Sequence, residues 1–318
     1  MSLRNVVAVI GAAVFLLAAC GERQQMLSIT TGGTGGVYYP LGGGLANLLS
    51  EKMPGVQATS EVTGGSVDNL KLVGTNQADL GLTMADAAFD ALIGRDRFDG
   101  KPLPIRTLAV LYPNRMHAVT VQQSGIRDFS ELAGKRVSVG SPGSATELMA
   151  VRVLEAYGLD QSIRRERLSA VESVNALKDG KIDAFFFCAG LPTAAVTDLA
   201  ATPGLTLQLL DHAEAAERMN AKYGPMYTAG SIPKEVYPGM TNDANNADVW
   251  NILFANESMP DGLVRDILTI MFDNRDALEL VHKEAAQINL ENQARKLSPV
   301  PYHPAALAFY RERGIAVE

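Results

Sequence analysis

The stretch Leu27-Ser28-Ile29-Thr30-Thr31-Gly32-Gly33-Thr34-Gly35-Gly36-Val37-Tyr38-Tyr39 decides how this chain is read. Residues 27–30 are a short, largely apolar run of strand type, 32–36 form a tight glycine turn, and 41–53 carry apolar residues at helical spacing up to Pro54-Gly55. A strand that opens through glycine into a helix is the first half of a βαβ unit. The rest of the unit follows in order. Residues 56–62 read as a strand, Thr63-Gly64-Gly65-Ser66 as a second turn, 67–73 as a helix and 78–83 as a buried strand.

The rhythm then repeats. Residues 107–112 and 118–121 form one extended stretch, broken at Pro113-Asn114, and 136–140 form a strand. The turn 141–144 leads into a helix over 145–157, a helix covers 171–178, and a strand over 182–189 runs into Gly190-Leu191-Pro192-Thr193. Residues 249–254 read as a returning strand, 263–286 as helical and 304–313 as a final helix. The expectation is an α/β protein of two lobes joined by extended crossings, the second lobe inserted into the first. Lobe I would take 27–112 and 249–318, and lobe II 113–248.

Composition bounds the function. With 318 residues, 47% hydrophobic and 20% charged, there is material for two cored lobes and no case for bulk disorder. A net charge of -7 argues against nucleic acid, which needs a basic stripe; the dense basic run Arg164, Arg165, Arg167 contains Glu166 and reads as solvated surface. The two cysteines make no CxxC and no disulfide framework. Cys188 sits in an apolar run and reads as an inert core thiol.

The N-terminus has the form of an export signal. Arg4 precedes an apolar stretch over 6–17, and Leu17-Ala18-Ala19-Cys20 resembles a bacterial lipobox. Residues 1–19 are then the signal peptide, Cys20 the lipidated N-terminus, and 20–26 a linker. Acyl chains at roughly 0.8 kcal/mol per buried CH₂ would hold the protein to a membrane surface outside the cytoplasm.

Four loops carry the chemistry: 31–39, 63–66, 141–146 and 189–193. Each follows a strand and precedes a helix, whose first N–H groups are unpaired and lie at the positive end of the helix dipole. Glycine allows close approach, and Ser or Thr adds a hydroxyl. Singly, Ser66, Ser144 and Thr193 read more readily as helix caps; four such loops across two lobes point to a cleft for a small anion. Tyr38 and Tyr39 place rings beside the first loop, and Asp86 is either a cap or an acceptor for a ligand amine. Enzymatic patterns are lacking. Gly32–Gly36 has neither the Gly-Lys-Ser/Thr ending of a P-loop nor dinucleotide spacing, and no GxSxG occurs. Ser231-Ile232-Pro233-Lys234 matches SxxK by letters, but its proline suggests a turn. His117, His212, His282 and His303 are scattered and read as surface or capping residues, so no metal and no cofactor is expected.

These same segments resemble the TAXI family of TRAP-associated extracytoplasmic solute receptors. The resemblance rests on residues 31–46, 61–73, 78–88, 132–159 and 179–195, with Tyr237-Pro238-Gly239 and the terminal 301–314. It implies a type II periplasmic-binding-protein fold, two α/β domains joined by hinge strands with the ligand cleft between them. It also implies delivery of glutamate, glutamine or a small dicarboxylate or keto acid to the membrane subunits of a TRAP permease. Carried over by position, the binding residues would be Tyr38, Ser66, Ser144, Ala145 and Thr146, with Gly190 through its backbone and Tyr39 and Asp86 in a second rank. Met84-Ala85-Asp86 departs from the Gln-Ser-Asp type of run in relatives, which suggests a less polar wall. Arg115, on the crossing segment, is a further candidate. A sensor lipoprotein feeding a signalling partner would share this fold, and an SxxK hydrolase using Ser231 is a distant alternative.

Overall fold

The computed structural model describes residues 24–317, so the signal peptide and Cys20 lie outside the described residues. The strands are β1 (Gln25–Thr30), β2 (Val56–Glu61), β3 (Leu80–Met84), β4 (Ile105–Val121), β5 (Arg136–Ser138), β6 (Arg164–Glu166), β7 (Ala184–Ala189), β8 (Leu207–Leu209), β9 (Tyr227–Ile232) and β10 (Ala244–Asn256). The helices are α1 (Tyr38–Lys52), α2 (Ser66–Gly74), α3 (Ala85–Ile93), α4 (Ala145–Ala156), α5 (Ala170–Lys178), α6 (Ala194–Ala200), α7 (Ala215–Tyr223), α8 (Asp261–Asp273), α9 (Arg275–Val281), α10 (Leu290–Gln293) and α11 (Pro304–Glu312).

All ten strands belong to one sheet, ordered β2-β1-β3-β10-β4-β7-β5-β6, with β8 and β9 paired to β4 and β10 off this path. β1, β2 and β3 are parallel at one end, and β5, β6 and β7 are parallel at the other. The two long strands β4 and β10 run antiparallel between them, and each serves both lobes. β10 pairs with β9 over Ala244–Val249 and with β3 over Asn251–Ala255; β4 pairs with β7 only from Arg115 onward. Helices cover both faces, so every residue of β3 is buried, as a parallel sheet between helix layers requires.

One expectation needs correction. β4 is continuous through Pro113-Asn114, because Pro113 falls at a bulge: Trp250 lies opposite Pro113 and Ile252 opposite Val110. Leu111 and Tyr112 thus face the single residue Asn251, whose side-chain amide donates to the Tyr112 carbonyl at 2.9 Å. A bulge is one of the few places where a sheet admits proline. Residues 263–286 are helical as expected, divided into α8 and α9 at Asn274 and a 3₁₀ turn over Lys283–Gln287.

The histidines divide. His303 caps α11 by accepting the Ala305 N–H at 3.2 Å, and His282 likewise accepts from Glu284. His117 and His212 are buried instead of capping or exposed. His117 Nδ1 faces the carbonyls of Arg115 and Phe187, which makes it the protonated nitrogen, and Nε2 accepts from the Tyr237 hydroxyl at 2.9 Å. Ser231 is exposed at the end of β9, opposite Asn245, and the chain turns from Pro233, as its proline suggested, with the Val236 N–H donating to the Pro233 carbonyl at 3.0 Å.

Candidate functional site

A cavity of about 370 Å³ lies between the strand ends of the two lobes. Its walls come from the glycine loop 32–38, from 62–66, from Gly140, Ser141 and 144–146, from 169–171 and 187–189, and from Met84, Tyr112 and Asn114. Four helices therefore begin at it: α1 and α2 from lobe I, α4 and α5 from lobe II. Each start is set by local sequence. Ser144 caps α4, its Oγ accepting the Glu147 N–H at 3.1 Å, while Ser169 and Glu172 form a capping box on α5. Ser66 is the first residue of α2 rather than its cap, and its hydroxyl accepts the Met84 N–H at 3.2 Å.

The lobes touch through backbone on either side of the cavity. Gly143 (φ +77°) turns its carbonyl to the first N–H groups of α2, Val67 at 3.1 Å and Asp68 at 3.2 Å. The Gly35 carbonyl takes the N–H of Ala195 on α6 at 3.2 Å. Each lobe thus terminates a helix of the other. A Cβ on Gly143 would lie 2.3 Å from the Asp68 carboxylate, so only glycine allows this approach.

Among the described residues, no Asp, Glu, Lys, Arg or His side chain contributes to the wall. The polar surface is hydroxyl, amide and backbone. Burial pushes the Tyr38 and Tyr112 hydroxyls and the Cys188 thiol well above their ordinary pKa, so all three stay neutral. Tyr38 donates to Asn251 Oδ1, the residue that also holds the bulge of β4. The buried Tyr112 Oη and Asn114 Oδ1 have no hydrogen-bond partner.

Of the residues expected from sequence, Tyr38, Ser66, Ser144, Ala145 and Thr146 line this cavity. The others are placed elsewhere. Tyr39 points away and is 38% exposed. Gly190 is one residue past the wall, packed so closely on Tyr112 that a Cβ would come within 2.9 Å of its ring. Arg115 lies 3.8 Å from both Asp248 and Glu284 and does not reach the cavity. Asp86 is fully buried behind it. Its carboxylate accepts from the Tyr227 hydroxyl at 2.9 Å and lies 3.7 Å from Arg152, which also meets Asp90 and, at 2.7 Å, Asp96. This ion-pair cluster ties α3 to α4, and Asp86 is spent within it. Cys188 is buried and neutral in the hydrophobic core, as expected, and also reaches the cavity wall. Of the loop 189–193 only Ala189 lines the cavity; Thr193 caps α6.

Sequence reasoning missed Tyr112, Asn114, Phe187 and the turn at 169–171. The last was readable: Ser169 three residues ahead of Glu172 is a capping-box signature. Tyr112 and Asn114 reach the cavity through the bulge, which Tyr-Pro-Asn does not announce.

The chain matches the NMT1-like family over residues 29–314 and belongs to it. Among solved structures, its fold is similar to that of the alkanesulfonate-binding protein SsuA from Xanthomonas axonopodis pv. citri bound to MOPS. That match has a TM-score of 0.50 and 16% identity, over 90% of this chain and 83% of that one. The GluR0 ligand-binding core in complex with L-glutamate also matches, with a TM-score of 0.50 and 9% identity over 84% of this chain and 99% of the other. The architecture is thus the two-lobed type II periplasmic-binding-protein fold. Among the described residues, no helix is long and apolar enough to cross a membrane.

Proposed function

We propose that this protein is an extracytoplasmic solute receptor, tethered by a lipid on Cys20, that closes on a small organic anion and delivers it to a TRAP permease. The observation that carries this reading is the meeting of helix starts from two lobes around one cavity, three of which (α1, α4 and α5) are not closed by the Gly143 carbonyl, with no carboxylate or cation of the described residues in its wall. Helix N-termini favour anions by 0.3–1 kcal/mol each even at exposed sites, and a low-dielectric cleft strengthens them. The resemblance to TAXI receptors supplies the permease, and the fold's solved neighbours hold MOPS and L-glutamate, both molecules with an acidic group. No nucleophile stands beside a base at the cavity, which favours binding over catalysis.

The test is thermal unfolding of the chain lacking residues 1–20 against carboxylates, sulfonates and amino acids. A ligand at about 100 times its Kd adds roughly 2.7 kcal/mol and raises Tm saturably. Ser144→Phe fills the cavity between α2 and α4 and removes that rise while the variant still unfolds cooperatively. An unchanged affinity in Ser144→Phe, read by titration calorimetry, places the binding site elsewhere and sinks the assignment.

A further inference from the structure

We infer, resting on the receptor reading above, that the ligand carries one anionic group and a neutral body that bears a hydroxyl or amide N–H, with no ammonium group and no second carboxylate. An α-amino acid brings an ammonium, which needs a carboxylate or a set of carbonyl oxygens. None of the nearby acids lines the wall: Asp86 is held by Tyr227 and the Arg152 cluster, Glu284 accepts the Leu191 N–H at 2.6 Å, and Asp68 accepts the Gly64 N–H at 3.2 Å. An ammonium would also face the positive ends of four helices. A dicarboxylate brings a second charge, and among the described residues no Arg, Lys or His lines the wall to pair with it. One anionic group is what the helix starts serve.

The rest of the ligand is described by two orphaned atoms. Tyr112, wholly buried, and Asn114, 2% exposed, both line the sheet side of the cavity, and neither Tyr112 Oη nor Asn114 Oδ1 has a partner. Buried polar atoms are nearly always satisfied in folded proteins, so an unpaired pair at one cavity wall is a socket for a ligand group. Asn114 Oδ1 can only accept, because its Nδ2 is the donor and is directed to the Cys188 carbonyl at 3.3 Å. The ligand must therefore supply a hydrogen. Val62 and Val171, one from each lobe, also line the cavity, are more than two-fifths exposed and offer an apolar contact to the body.

The experiment is titration calorimetry of the signal-less chain with sets matched on one body: 2-hydroxy-4-methylpentanoate, 4-methylpentanoate, leucine and isobutylmalonate, with the corresponding short, aromatic and sulfonate analogues. In the skeleton that binds, the hydroxy or amide monoanion is expected to bind at least 10-fold tighter than the analogue lacking that group, and at least 100-fold tighter than the amino acid or dicarboxylate. Tyr112→Phe and Asn114→Ala should collapse the first ratio to below 3-fold. Tight binding of an amino acid or dicarboxylate overturns this inference and leaves the receptor reading standing, as does a first ratio that both variants preserve. Binding of no compound in any class overturns both.

Discussion

Replacing Arg152 with Met isolates what the buried cluster between α3 and α4 contributes. The side chain is 2% exposed and its guanidinium meets Asp90 and Asp96, lies 3.7 Å from Asp86, donates to the Tyr227 hydroxyl at 2.8 Å and stacks 4.1 Å from the Tyr223 ring. Methionine keeps much of the volume and removes the charge. Asp90 retains Arg95, and Asp86 retains the Tyr227 hydroxyl and the Ala87 N–H, so neither is stranded entirely. Breaking a buried pair costs about 3–5 kcal/mol, and these residual partners place the loss near 3. For a chain of this size that is a fall of about 6 °C in Tm. The loss also has a pH signature. Burial already raises the pKa of Asp86 and Asp90, against the lowering effect of Arg152; without the arginine both rise further. The native variant then binds more protons than the unfolded chain, so its stability falls as pH rises and recovers on acidification. Urea unfolding at pH 7.5 and 5.5 reads both effects. A loss under 1 kcal/mol, or one equal at the two pH values, refutes the cluster as a buried charged strut.

Three further outcomes follow from other features. Gly143→Ala puts a Cβ against Asp68 and forces a left-handed conformation costing about 1–2 kcal/mol, so ligand affinity should fall at least 10-fold and the radius of gyration in solution should rise; unaltered affinity would remove Gly143 from the closed contact. Asp86→Asn should lower Tm yet leave ligand affinity within 2-fold, whereas a 100-fold loss would return Asp86 to the binding site. His117 and His212 are held by burial at a pKa of about 4, below the ordinary 6.5, so the stability they contribute is present above 6.5 and is lost as pH falls toward 4. Asp248, raised by burial to about 6, opposes them by one proton between 4 and 6, leaving a net slope from the three of about 1.4 kcal/mol per pH unit. His212→Gln should flatten the measured slope by one proton, and an unchanged slope would refute the assignment.

The glycine loop at 32–36 announced the fold because its chemistry is local: positive helix ends, close approach and a strand-to-helix turn are all written in adjacent residues. The same holds for Ser144, Ala145 and Thr146, which reach the cavity because the cap and the first helical turn are one unit. What was not legible depends on distant partners. Asp86 reads as available until Arg152, 66 positions on, and Tyr227 arrive to enclose it. Pro113 reads as a break until Asn251 supplies the hydrogen bond that turns it into a bulge. Gly190 resembles a ligand-binding glycine, but its lack of a side chain serves the packing of Tyr112.

That bulge has a consequence for how the receptor reports its state. Asn251 holds the Tyr112 carbonyl with its amide nitrogen and receives the Tyr38 hydroxyl on its amide oxygen, at one of the two points where β4 and β10 fall out of step. Any bend there shifts the Tyr112 ring and the start of α1 together, and any load on either ring is felt at the bend. For the proposed receptor, occupancy and posture would then be a single mechanical variable, transmitted by three side chains and a kinked ladder, and a partner that senses only outer contour would be informed of what lies inside.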